Sequence, residues 1–177
     1  HLSGIKRRFG KRLDALEYGA QAGFYRLNLG ALLGLYDWRY DALSLSSHLE
    51  YMMTHHWKVK YSVSFPRIQD MFGKIKVVYP TSNMALVQLI CAFRLIYPDV
   101  GITLSTRESA DLRDQLCSLG ITTMSAESDT SPGGYTQGDA EEQFNISDHR
   151  SLTEVKSMLA SKGLEPVMKD WDSVFTA

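Results

Sequence analysis

Apolar and polar residues alternate along this chain in two rhythms. Apolar positions three or four apart predict helices in "KRRFGKRLDALEYGAQAG", "WRYDALSLSSHLEYMMTHHW", "MALVQLICAFRLIY", "ADLRDQLCSLG" and "SLTEVKSMLASKG". Short apolar or alternating runs predict strands in "FYRLNLGALLGL", "KYSVSFPRI", "GITLSTRES" and "ITTMSAES". The punctuation agrees with this reading. Gly23, Gly120 and Gly163 follow helices, Pro66 stops a strand, and Pro98 halts the most apolar helix. Ser82 or Asn83 can cap one helix start, and Ser151 with Glu154 forms a capping-box pattern at another. In the second helix Leu43, Leu45, Leu49, Met52 and Met53 are the candidates for a core face. "QDMFGKIKVVYPTS" and "DTSPGGYTQGDAEEQF" read as loops, and residues 164–177 as a tail.

A helix followed by four strand–helix units predicts an α/β fold with parallel strands and right-handed crossovers. Four such units are half of an eight-stranded (β/α)8 barrel, whose usual size is about 250 residues. Residues 1–177 therefore read as a single half-barrel domain, with a small open α/β sheet as the structural competitor. No GxGxxG or P-loop is present to favour a dinucleotide or nucleoside triphosphate fold.

The strand faces carry the functional signal, because side chains alternate across a strand. Leu27, Leu29 and Ala31 oppose Asn28 and Gly30; Val63 and Phe65 oppose Ser62 and Ser64. Ile102 and Leu104 oppose Thr103, Ser105 and Arg107; Met124 and Ala126 oppose Thr123, Ser125 and Glu127. Strands covered by helices on both faces would be apolar on both, and a packed barrel would be filled with Val, Ile and Leu. One small or polar face per strand predicts an open lumen that holds a ligand. Asp37, Arg67, Arg107 and Glu127 gather at the C-terminal strand ends, where barrel enzymes keep their chemistry. A guanidinium there suits a carboxylate or phosphate, which it can grip through two parallel hydrogen bonds. Glu108 is expected to point away from Arg107 and to turn outward to a loop or helix. The competing reading is an ion pair that only holds a loop.

Composition narrows the field. The net charge is −1, so nothing suggests nucleic acid or a membrane surface. No apolar run is long enough to span a bilayer, and no signal-peptide pattern opens the chain. Cys91 and Cys117 are the only cysteines and read as buried free thiols in a reducing cytoplasm. His55 and His56 are adjacent, so they do not share a helix face and make a poor metal site; no metal is expected.

The words "LGALLGLYDWRYDA", "YSVSFPRI", "LVQLICAFRL", "LSTRES", "SAESDTSPGGY", "EEQF" and "VMKDWD" occur here in one order. They resemble the tyrosine lyases of thiazole biosynthesis, the 2-iminoacetate synthases, over almost the whole chain. The resemblance covers the C-terminal half of that family's protein, including its biotin and thiamin synthesis-associated region. It implies a radical S-adenosylmethionine barrel in which a 4Fe–4S cluster and S-adenosylmethionine initiate cleavage of the tyrosine Cα–Cβ bond. The products are p-cresol and 2-iminoacetate, for the thiazole ring of thiamine. The sequence departs from the family in lacking the cluster motif C-x3-C-x2-C, and two cysteines cannot replace three thiolates. The chain thus reads as a fragment without catalysis or bound cofactor of its own. Its partners would be tyrosine, the missing N-terminal half-barrel, or a second copy joined through sheet edges.

Residue by residue, the resemblance assigns Arg107 to the tyrosine carboxylate, with Ser105, Ser125 and Glu127 lining the same pocket. It puts Gly30, Ala31 and Leu33 behind S-adenosylmethionine, with Ser64 and Arg67 near it; for Arg67 a structural role weighs equally. Trp171 reads as tail packing, and Gly133, Gly134 and Tyr135 as a turn. The related tyrosine-cleaving enzyme of hydrogenase maturation shares "GLYDW" and "SFPRI" but carries further C-terminal cysteines that this tail lacks. A non-catalytic assembly module is the other alternative. An aldolase-type barrel ranks last, since no strand ends in a Schiff-base lysine.

Overall fold

The computed structural model describes residues 7–68, 77–129 and 146–168. The predicted turn at Gly133–Tyr135, Trp171 and the tail's end lie outside them, as do most of the two long predicted loops. The element order is α1 (Phe9–Gln21), β1 (Arg26–Gly30), α2 (Trp38–His55), β2 (Lys60–Ser64), α3 (Asn83–Ile96), β3 (Gly101–Leu104), α4 (Ala110–Leu116), β4 (Thr123–Met124) and α5 (Leu152–Ser161). The strands form one sheet in the order β1-β2-β3-β4, and every neighbouring pair is parallel. This is the predicted α/β arrangement, part of a barrel. Because the strands run the same way, all four exits open at one end.

Side-chain caps set the helix starts. Asp37 accepts from the Arg39 N–H at 3.0 Å, and Ser82 from Ala85 at 3.1 Å. Ser109 caps α4, and Ser151 and Glu154 make the full capping box of α5. Residues 121–128 shorten to a two-residue strand: beyond it Arg113 takes the Ser125 carbonyl, and Glu127 has a positive φ of 52°.

The apolar strand faces meet the helices. Leu29, Val63 and Ile102 lie in register and are all but fully buried. Leu45, Leu49 and Met52 of α2 and Leu86, Leu89, Ile90 and Phe93 of α3 cover them. Leu43 and Met53, expected in the core, are exposed instead. At about 100° per residue the stripe through Leu45, Leu49 and Met52 leaves both to the side. Cys91 and Cys117 are free thiols, the first half-buried and the second buried. His55, at the end of α2, stacks on Tyr51, and His56 occupies the C-cap. No helix among the described residues is long and apolar enough to cross a membrane.

Candidate functional site

The other face of the sheet is built from small and hydroxyl residues in register. Gly30, Ser64, Thr103 and Thr123 form one row across all four strands; Asn28, Ser62 and Gly101 form the next. Asn28 ties the rows together. Its Nδ2 donates to Ser64 Oγ at 3.1 Å, while its Oδ1 accepts from Ser62 Oγ at 2.9 Å. A Cβ on Gly30 would come within 2.7 Å of Ser64 Oγ, so glycine keeps this floor flat.

At the exits of β2 and β3 lies a cavity of about 240 Å³, whose lining includes Ser64, Thr103, Ser105, Arg107 and Glu108. That is small beside the roughly 300–1,000 Å³ of drug-sized ligand pockets and suits a compact guest. The strand rhythm continues past the end of β3. Residues 102, 104, 106 and 108 are buried, whereas 103, 105 and 107 are half-buried. Arg107 thus shares the side of Thr103 and Ser105, and its N–H donates to Ser105 Oγ at 3.4 Å. Burial pushes the Arg107 guanidinium pKa down, and the negative charge of Glu108 pushes back.

Glu108 does lie opposite Arg107 in this rhythm, but it does not turn outward. It is buried and clasps Arg67 through both carboxylate oxygens, with Arg67 Nε donating to Oε1 at 2.9 Å and Nη2 to Oε2. Arg67 Nη1 donates to the Thr81 carbonyl and to Asn83 Oδ1, each at 2.9 Å. Four hydrogen bonds occupy the Arg67 guanidinium. This geometry favours its structural role.

Of the residues expected at the site, Ser64, Ser105 and Arg107 meet on the cavity. Gly30 lies beside Ser64 on the open face, and Ala31 packs against the core. Leu33 is a core residue, bridged to Arg67 and 1% exposed. Ser125 donates its N–H to the Leu104 carbonyl at 3.0 Å, and its own carbonyl accepts from Arg113. Glu127 is exposed, and its N–H donates to the Arg150 carbonyl at 3.4 Å. Asn28, Ser62, Thr103 and Glu108 were not singled out as site residues from the sequence. The alternation already put the first three on the polar face; for Glu108 the signal was the same alternation carried four residues beyond Leu104.

The described lining offers hydroxyls and one guanidinium beside a committed carboxylate, with no lysine, histidine or thiol. It can hold an anion but has no evident acid–base pair. A three-thiolate cluster does not fit these residues. Cys91 sits on α3 and Cys117 just past α4, and no group of three or more His, Cys, Asp or Glu among the described residues could hold a metal ion.

Comparison with known proteins gives this geometry its context. The chain is 45% identical over 175 residues to the 2-iminoacetate synthase of Salmonella typhimurium and 44% to that of Escherichia coli. Each match takes in 98% of this chain and 46% of the relative, so the chain spans about half the length of the curated relatives it matches. Among solved structures it superposes on HydG, a maturase of the FeFe-hydrogenase, with a TM-score of 0.87 and 29% identity, over 96% of this chain and 37% of the other. HydG from Carboxydothermus hydrogenoformans gives 0.82 and 37%, over 93% and 38%. The resemblance seen in the motif order is thereby borne out. The model of the Biotin and Thiamin Synthesis associated domain matches residues 64–165, more than half of the chain, and the chain belongs to that family.

Proposed function

We propose that this chain is the substrate-binding part of a radical S-adenosylmethionine tyrosine lyase, a 2-iminoacetate synthase of thiazole formation. The observation that carries the reading is Arg107, half-buried at a cavity whose other polar lining includes the hydroxyls of Ser64, Thr103 and Ser105. In this reading Arg107 anchors the carboxylate of tyrosine and Ser105 adds a hydrogen bond beside it. S-adenosylmethionine with a reduced 4Fe–4S cluster supplies the hydrogen-abstracting chemistry, and the cluster's ligands come from outside these residues. The Gly30–Ser64 floor with Asn28 is where this chain would support S-adenosylmethionine. Further strands, joined at the open edges of β1 and β4, would complete the barrel. Identity of 45% to a 2-iminoacetate synthase, against 29% and 37% to the two hydrogenase maturases, favours the thiazole branch.

The test is Arg107→Ala in the full-length protein. Losing a charge-assisted, two-pronged contact should weaken tyrosine binding by about a hundredfold, with p-cresol formation falling alongside. Unchanged tyrosine affinity would sink the carboxylate anchor.

A further inference from the structure

Arg107 and Glu108 are adjacent and line the same cavity. A carboxylate one residue away from a carboxylate-binding arginine is a hazard. It is tethered, and tethered groups act at effective concentrations of about millimolar or more. A buried carboxylate without a partner is also costly, so it seeks the nearest cation. Arg107 is the one cation in the described lining of the cavity. Arg67 removes the hazard. It reaches across from the exit of β2 and holds both oxygens of Glu108, while its remaining contacts anchor it to Thr81 and Asn83 at the start of α3. The pair is well shielded, with side-chain exposures of 16% for Arg67 and 5% for Glu108. The backbone just before Arg107 is also pinned, since the Thr106 carbonyl accepts from the N–H groups of Ser147 and Asp148 at 2.9 and 3.0 Å.

We propose that Arg67 is a positioning residue that keeps Glu108 from taking the place of a substrate carboxylate on Arg107. The proposal rests on the reading of Arg107 as the carboxylate anchor. Arg67 need not touch substrate; it acts by holding both oxygens of an internal competitor so that they do not bond the Arg107 guanidinium.

The experiment compares tyrosine with tyramine, which lacks the carboxylate, as ligands of the full-length protein. Arg67→Met should weaken tyrosine binding about tenfold and leave tyramine binding unchanged, because only the carboxylate meets the competitor. Adding Glu108→Gln to Arg67→Met should restore tyrosine affinity. Equal losses for both ligands, or no recovery in the double variant, would overturn the proposal. If Arg67→Met does not fold, Arg67→Lys replaces it. Its weaker grip should give a loss of about threefold for tyrosine only, and the absence of that selectivity would overturn the proposal as well. The anchor reading fails separately, through an Arg107→Ala variant that still discriminates tyrosine from tyramine as the parent does.

Discussion

Asn28 satisfies two serine hydroxyls with a single amide, and Gly30 leaves room for one of them. That arrangement makes the floor of the open face sensitive to one methyl group. Gly30→Ala should push the Ser64 hydroxyl aside, break its bond with Asn28 and cost about 1 kcal/mol in a denaturant titration. Pairing it with Ser64→Ala removes the obstacle and should bring back part of that loss. An unaffected Gly30→Ala protein would show that the close approach has no consequence. Arg107 was legible in the sequence because a period of two is enough to place it with Thr103 and Ser105. The partner of Glu108 was not legible. Arg67 lies 41 residues away on another strand exit, and only the parallel sheet brings the two side by side.

Between elements, α4 and the chain leading into α5 are joined by charge. The fully buried Arg113 pairs with Asp148, and Arg150 reaches both Asp148 and Asp114. Burial would raise the Asp148 pKa, but hydrogen bonds from Arg150 and the charge of Arg113 outweigh it and lower the value from 3.8 to about 2. Its ionised form therefore stabilises the fold at neutral pH. That contribution is present above about pH 4 and lost as pH falls through about 2. Asp148→Asn should flatten this acid limb of the stability curve. It should also cost about 3–5 kcal/mol near pH 7, because Arg113 stays buried without its counter-ion. A variant whose acid unfolding matches the parent would exclude Asp148 as the group responsible. The helix caps were readable in sequence because capping is local, as Ser151 and Glu154 illustrate. The end of β4 was not. "ITTMSAES" alternates well, but Arg113 takes the Ser125 carbonyl and Glu127 turns to a positive φ, and neither event leaves a trace in hydropathy.

Across the whole molecule, the sheet ends on one side at β1 and on the other at β4. The parallel order followed from the alternation of strand and helix patterns, the strongest signal in the chain. Among the described residues no strand lies beyond β1, and Phe24 and Tyr25 just before it are exposed. If further strands complete a barrel, amides on that side of Arg26–Gly30 should exchange with solvent rapidly in the 177-residue chain and be protected in the full-length protein. Equal exchange in both would mean that nothing pairs with β1. The chain also closes on itself near β4. The Glu127 N–H meets the Arg150 carbonyl, and the Thr106 carbonyl gathers Ser147 and Asp148. These ties, with the arginine and aspartate pairs, hold the chain after β4 to the chain before α5. The arginine and aspartate clasp thus serves as an ionic rivet, and its grip loosens in acid as the Asp148 carboxylate is protonated.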